Sequence, residues 1–348
     1  MPSYTSVHLA ERPKESIIPN KTFTTKQQPL PSASDLQNGQ VLFRTLYLSL
    51  DPAMRGWLNN TRSYIPPVQI GEVMRGYGVG VVLASKSSKF AVGSYASGMC
   101  GWAEYRVMRE EHLEALELPP GAVPTDVLSV LGMTGLTAYF GILDVGQVKA
   151  GDFVVVSGAA GATGSVVGQI AKIKGARVLG LAGGDDKVRW LKEELGFDEA
   201  LNYKDAEFHK KFREATKGLI DVYFDNVGGD ILDLALSRAK PHARFVMCGA
   251  ISEYNKGKSV QGPKNYLMII SMRIRMQGFI VMDYTAQFPE AKRQLAQWIS
   301  EGKLKRKETV VKGGITKAQQ ALVDLYNGVN TGKLLVEVAK PDDVKARL

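Results

Sequence analysis

Cysteine is scarce in this chain of 348 residues: there are two, Cys100 and Cys248. Two thiols cannot build a disulfide framework, so the fold must rest on a packed core. Histidine is almost as rare, and His8, His112, His209 and His242 are scattered. No Cys-rich cluster and no H-E-x-x-H pair occurs, which argues against structural or catalytic zinc, and no metal is expected. Nor is there an apolar run near the roughly 20 residues that a membrane span needs. Met1 to Asn20 holds no continuous apolar stretch of the kind a secretory leader carries, so a cytoplasmic location is expected.

With 45% hydrophobic and 23% charged residues, the chain has the material for a large core and for two domains. Its formal charge of +9 raises the question of nucleic acid. The distribution answers against it. Basic residues are spread along the chain, and the densest cluster, Lys303 to Lys307, has no interleaved aromatics on which bases could stack. The positive field can instead steer an anionic cofactor.

The chain is organised around Val154-Val155-Val156-Ser157-Gly158-Ala159-Ala160-Gly161-Ala162-Thr163-Gly164 and the helical spacing of Val166, Val167, Ile170 and Ala171. Three β-branched residues predict a buried strand, and a turn of small residues then opens a helix. This is the setting in which a dinucleotide binds: small residues admit the pyrophosphate, and the new helix offers free N–H groups and a positive dipole end. The first glycine of G-x-G-x-x-G is here Ala159, so the motif rests on its strand-before, helix-after context.

Residues 1 to about 127 read as short strands, with Val41 to Leu50, Gly78 to Ala84 and Ala103 to Met108 the clearest. Gly76, Gly78 and Gly80 imitate a nucleotide loop, but a strand rather than a helix continues from them, so they read as glycines of a curved strand. Leu50 to Trp57 reads as a turn and Ser63 to Pro67 as an exposed rigid loop, and either could line a pocket. Helical periodicity appears from Asp126 to Leu131 and from Thr137 to Leu143. Beyond the central turn, strands at Arg177 to Ala182, Leu201 to Tyr203, Ile220 to Phe224 and Arg244 to Cys248 alternate with helices at Asp186 to Leu195, Ala206 to Thr216 and Ile231 to Ala239. An α/β domain with a doubly wound parallel sheet follows. Helices at Asn265 to Met272 and Ala286 to Ser300 flank a strand at Ile274 to Val281. The tail returns to short elements: Thr309 to Lys312, a helix at Lys317 to Tyr326 and a strand at Lys333 to Val338.

The end of the second strand of a dinucleotide fold selects the cofactor, an acidic residue bonding the ribose and a basic one accepting an added phosphate. Here that strand ends Leu181-Ala182-Gly183-Gly184, without a carboxylate. Asp185 and Asp186 read as helix caps. Lys187 opposes the helix dipole, which a bound phosphate would offset; the alternative is a solvated lysine.

With these residues in view, the chain resembles the zinc-free medium-chain dehydrogenase/reductases, in the branch of prostaglandin/leukotriene reductases, plant alkenal double-bond reductases and curcumin reductase. The similarity rests on Tyr47 to Gly56, Gly101 to Tyr105, Gly132 to Tyr139, the glycine turn, Asn202-Tyr203-Lys204, Phe224 to Gly229 and Cys248 to Ser252. Ser63 to Pro67 and Ile70 to Met74 look most like the curcumin-reductase side. The resemblance implies a β-rich, GroES-like catalytic domain from residues 1–127 and 310–348, a Rossmann domain over 128–309, and an active site in the cleft. It implies NADPH as cofactor, with Gly161, Ala162, Thr163 and Gly164 at the pyrophosphate. Gly183, Lys187 and Tyr203 would lie at the 2′-phosphate. Asn226, Cys248, Gly249, Ile251, Tyr254, Phe279, Ile280, Val281, Asn330 and Gly332, with Pro52, would lie toward the nicotinamide. Tyr254 is the candidate catalytic donor, or else a cofactor contact. Ala53, Met54 and Tyr64 are the candidate substrate pocket. Ala53 stands where the family often has Tyr, and Thr134 where it often has Pro, which leaves the substrate open.

The implied reaction is NADPH-dependent reduction of carbon–carbon double bonds conjugated to a ketone or aldehyde. A quinone reductase, and a cofactor-binding protein with affinity for RNA, are the alternatives. The expected partner is a small-molecule enone or enal, with no membrane and no nucleic acid, and the resemblance implies a homodimer. Ala346-Arg347-Leu348 resembles a peroxisomal address, an alternative to the cytoplasm.

Overall fold

A computed structural model describes residues 2–340, the side chain of Lys258 excepted; the tripeptide Ala346-Arg347-Leu348 lies outside the described residues. The chain divides into two compact units, one of Met1–Leu128, Glu308–Asn330 and Leu334–Leu348, the other of Ser129–Lys307 with Thr331–Lys333.

In the first unit, β1 (Ser3–Leu9) pairs antiparallel with β2 (Phe23–Pro29). Neither strand was legible in the sequence. β2 is polar and exposed for most of its length, and β1 buries Ser6 and His8, polar residues that break the expected alternation. The burial is tolerable because the His8 ring is bonded on both sides, to Ser6 Oγ and to the Gly71 carbonyl, each at 2.8 Å. The main sheet runs through β3 (Gln40–Ser49), β4 (Gly78–Ser85), β5 (Tyr95–Gly98) and β7 (Leu113–Ala115), and β6 (Tyr105–Arg109) pairs with β3. The Leu50 to Trp57 segment ends in a single helical turn, α1 (Met54–Trp57). Gly80 does lie in a bent strand: a Cβ there would stand 2.0 Å from the Arg44 carbonyl oxygen, beside a register shift between β3 and β4.

The second unit opens with α2 (Met133–Phe140), which continues in wider π turns over Gly141–Val145. The expected helix at Asp126 to Leu131 is instead a short 3-10 turn, Pro124–Leu128. Then follow β8 (Phe153–Val156), α3 (Ala162–Ile173), β9 (Arg177–Ala182), α4 (Asp185–Arg189), β10 (Glu199–Asn202), α5 (Phe208–Ala215), β11 (Ile220–Asp225), α6 (Gly229–Leu236), β12 (Ala239–Met247), α7 (Leu267–Ser271), β13 (Arg275–Gly278) and α8 (Phe288–Ser300). Val154, Val155 and Val156 are all 0% exposed, which suits a strand covered on both faces. The six strands are parallel, in the order β10-β9-β8-β11-β12-β13. Counted from β8, this is 3-2-1-4-5-6, and its switch point lies between β8 and β11, where a doubly wound sheet binds its ligand.

Two boundaries moved for identifiable reasons. The expected helix at Ile231 to Ala239 stops at Leu236, because buried Ala239 pairs with Ile220 as the start of β12. The expected strand at Ile274 to Val281 ends at Gly278, and Phe279 turns edge-on to Phe224 with ring centroids 6.5 Å apart. The chain then returns to the first unit with β14 (Glu308–Val311), α9 (Ala318–Tyr326) and β15 (Lys333–Glu337). Ala318, Ala321 and Leu322 of α9 belong to the same apolar core as Val41, Phe43 and Leu48 of β3.

Candidate functional site

The turn after β8 is built by close backbone approach. Gly158, not the residue at the first glycine position of the motif, takes the left-handed backbone (φ 58°) that a β-branched or bulky residue would resist. Ala159 therefore costs the turn nothing; it is fully buried, and its N–H donates to the Leu181 carbonyl at 2.9 Å. Gly161 is the N-cap of α3, and Ala162 and Thr163 follow in the first turn, where helix N–H groups lack intrahelical partners. Gly164 lets the helix press on the turn: a Cβ there would lie 2.4 Å from the Gly158 carbonyl oxygen. Gly332 joins this assembly, its N–H donating to the Ala160 carbonyl at 2.8 Å.

At the end of β9, Gly183 makes room for a phenol. A Cβ on Gly183 would stand 2.4 Å from Tyr203 Oη and 3.2 Å from Lys204 Cε. Tyr203 lies just beyond β10, not inside it, and burial raises its pKa above the ordinary tyrosine value. Lys187 on α4 is half-buried; desolvation first, and then the nearby Lys204 ammonium, lower its pKa. The two ammonium groups disfavour each other's charge beside the glycine turn, and an anion placed there would offset that repulsion. Lys204 was legible as part of a motif and was missed as a site residue. The capping role expected of Asp185 and Asp186 is corrected: Gly184 is the N-cap, and the aspartates sit in the first turn. Asp185 Oδ1 accepts from Asn202 Nδ2 at 2.8 Å, and Asp186 pairs with Arg189.

Across the switch point, Asn226 Nδ2 donates to the Ser157 carbonyl at 2.7 Å and Asn226 N–H to Ser157 Oγ at 2.9 Å. Cys248 and Gly249 follow β12, and each donates its N–H to the Asp225 carbonyl at 3.0 Å; Ile251 N–H donates to the Asn226 carbonyl at 3.2 Å. Desolvation, then the Asp225 carboxylate, pushes the Cys248 thiol up to about 12, so it stays protonated at neutral pH. Tyr254 folds back on the same loop, its Oη accepting the Ala250 N–H at 3.1 Å. A phenol is both donor and acceptor, and this bond uses its acceptor side. Phe279 and Ile280 are partly exposed just past β13, and Val281 is buried.

In the first unit, Tyr326 Oη donates to the Pro52 carbonyl at 2.9 Å, and Asn330 is buried. Ala53 is partly exposed. Tyr64 is exposed and accepts from Trp57 Nε1 at 3.1 Å, while Arg75 lies over the Trp57 ring at 5.6 Å. Met54 is 0% exposed within the apolar core, so its side chain presents no surface to a substrate in this state.

Family models described as N-terminal domain of oxidoreductase and zinc-binding dehydrogenase match residues 5–116 and 162–300. The chain is 39% identical to the NADPH-dependent curcumin reductase of Escherichia coli (strain K12), over 96% of this chain and 96% of that one. It is 38% identical to the 2-alkenal reductase (NADP(+)-dependent) of Nicotiana tabacum, over 94% of each. The chain belongs to the zinc-free medium-chain dehydrogenase/reductases. Its place is in their branch of curcumin, prostaglandin and alkenal reductases. Among solved structures, CurA from Vibrio vulnificus in complex with NADPH matches with a TM-score of 0.90 and 38% identity, over 97% of this chain and 100% of that one. The second family model is named for zinc, yet among the described residues no group of three or more His, Cys, Asp or Glu stands together as a metal site.

Proposed function

We propose that this protein is an NADPH-dependent reductase of carbon–carbon double bonds conjugated to a ketone or aldehyde. The observation that carries the reading is near full-length similarity to reductases named for curcumin and for 2-alkenals, joined to a turn, a cation pair and strand-end loops suited to NADPH. The residues fit that group: the turn that Gly158, Gly161 and Gly164 keep open would take the pyrophosphate, Lys187, Lys204 and Tyr203 the 2′-phosphate, and Asn226 and the Cys248 to Tyr254 loop the nicotinamide half. NADPH supplies the hydride. What the protein contributes is orientation and a donor where negative charge develops on the carbonyl oxygen of the substrate.

The test is NADPH oxidation across a panel of enones, enals and quinones with the product identified. The expected product is the saturated ketone or aldehyde. An allylic alcohol would redirect the reading to carbonyl reduction, and turnover confined to quinones would favour the quinone-reductase alternative.

Tyr254 is the proposed donor. Tyr254→Phe should lower kcat and kcat/KM together by roughly a hundredfold with NADPH affinity kept, as loss of one oxyanion donor does. Weaker NADPH binding without slower hydride transfer at saturation would make Tyr254 a cofactor contact instead. A homodimer is part of the proposal. It is supported by β13 standing last in its sheet among the described residues and by Tyr266, Leu267 and Ile270 exposed on the segment before it; the molar mass in solution checks it. So is a cytoplasmic location, consistent with a reductant held inside cells.

A further inference from the structure

Asp225 closes β11 with its carboxylate wholly buried. Its Oδ1 accepts four hydrogen bonds: from Ser157 Oγ at 2.8 Å, from Tyr223 Oη at 3.1 Å, and from the N–H groups of Val227 and Gly228 at 3.0 Å each. Oδ2 is buried, and no side chain or backbone group among the described residues bonds it. Burying a carboxylate this deeply costs folding free energy through desolvation, so stability alone explains the group poorly. What it does achieve is convergence. Through Ser157 it grips the turn after β8, and through Val227 and Gly228 it shapes the loop after β11. Its own carbonyl accepts the N–H groups of Cys248 and Gly249, which begin the loop after β12.

We propose that Asp225 is a positioning residue for hydride transfer, setting the Asn226 to Gly229 and Cys248 to Tyr254 loops in register with the pyrophosphate turn. The inference rests on the reading that these loops and this turn hold NADPH. Asn226 bonds the same two neighbouring segments from the loop itself, through Ser157 and Ile251, whereas Asp225 does so from the buried strand end beneath them. Misplacement of reacting groups by about 1 Å can cost a hundredfold in rate, so a shared anchor under the loops is where orientation would be lost first.

Asp225→Asn preserves size, but its neutral amide oxygen holds the four Oδ1 donors more weakly than a carboxylate does, and its N–H groups would stand where Oδ2 meets no acceptor among the described residues. The expected result is an NADPH dissociation constant raised at least about tenfold, by fluorescence titration, and a single-turnover rate with 2-hexenal at saturating NADPH lowered at least about tenfold. Affinity for 2′,5′-ADP, which carries the adenosine half alone, should change by less than about threefold. Ile220→Ala, a cavity at the far end of the same strand, should lower thermal stability yet leave the NADPH to 2′,5′-ADP ratio and the rate per folded molecule unchanged. If Asp225→Asn does not fold, Ser157→Ala removes one of the four donors and should move the same ratio and rate in the same direction.

Wild-type behaviour of Asp225→Asn and of Ser157→Ala overturns the proposal, as do losses that are equal for both ligands and reproduced by Ile220→Ala. Should Lys187→Ala meanwhile weaken NADPH binding, the cofactor placement stands and the positioning role alone is lost. Should neither Lys187→Ala nor Asp225→Asn affect NADPH, the cofactor placement fails and takes the proposal with it.

Discussion

Lys187→Ala should weaken NADPH binding at least about tenfold and leave NADH nearly unaffected. Hydrogen bonds to a charged group are worth about 1.5–3 kcal/mol, and about 1.4 kcal/mol is a factor of ten. The effect is large because of the neighbourhood of Lys187. Desolvation and Lys204 both disfavour its charge, so a 2′-phosphate would relieve two cations at once. The double variant Lys187→Ala with Lys204→Ala should lose roughly a hundredfold, and less than the sum of the single effects if the two share one phosphate. Fluorescence titration with NADPH and with NADH separates the outcomes. Equal losses for the two cofactors would remove the 2′-phosphate assignment.

Gly164→Ala should cost both stability and cofactor. In an open helix position the exchange of glycine for alanine gains about 1 kcal/mol. Here the added Cβ would stand 2.4 Å from the Gly158 carbonyl oxygen and 2.9 Å from Ala159 Cα, and both are backbone atoms of the turn that would receive the pyrophosphate. They cannot swing aside as a side chain does. Overpacking of this kind costs roughly 1–3 kcal/mol, enough to reverse the sign of the helix gain. The expected result is a lower Tm together with NADPH binding weakened by more than about tenfold, because the turn must open to admit the methyl group. Gly218→Ala, where a Cβ meets nothing within 4 Å, should stay within about 0.5 kcal/mol of wild type. A Gly164→Ala protein as stable and as tight for NADPH as wild type would show that the turn is looser than its contacts imply.

The parallel sheet was legible because its strands are buried on both faces and therefore stand out as continuous apolar runs. Arg177 to Ala182 was read to the residue, and Ile220 to Phe224 to within one. The β1 and β2 hairpin was not legible, since Ser6 and His8 are buried polar residues that bond each other, and the Gly71 carbonyl on the other side of the His8 ring lies far along the chain. The same holds for Ala239: alanine suits a helix, and only its pairing with Ile220 makes it a strand residue.

The candidate site divides in the same way. That a turn of small residues joins a strand to a helix after Val156 was readable from local pattern, because the three are contiguous. That Gly158 supplies the left-handed turn in place of Ala159 was not, since either assignment suits a run of small residues and only backbone dihedrals separate them. Met54, read as a pocket residue from its motif, is enclosed by core residues from Val7 to Leu334 that no local window contains.

By itself, then, the sequence determined the parallel-sheet core, the position of the small-residue turn after β8 and the family resemblance, all of which are written in neighbouring residues. Tertiary structure decided the pairing of Lys204 with Lys187, the burial of Asp225 beneath three strand ends and the anchoring of Tyr254 on the Ala250 amide. Those depend on which strand ends the fold brings side by side, and charge proximity and hydrogen bonding act through space, whatever the distance along the chain.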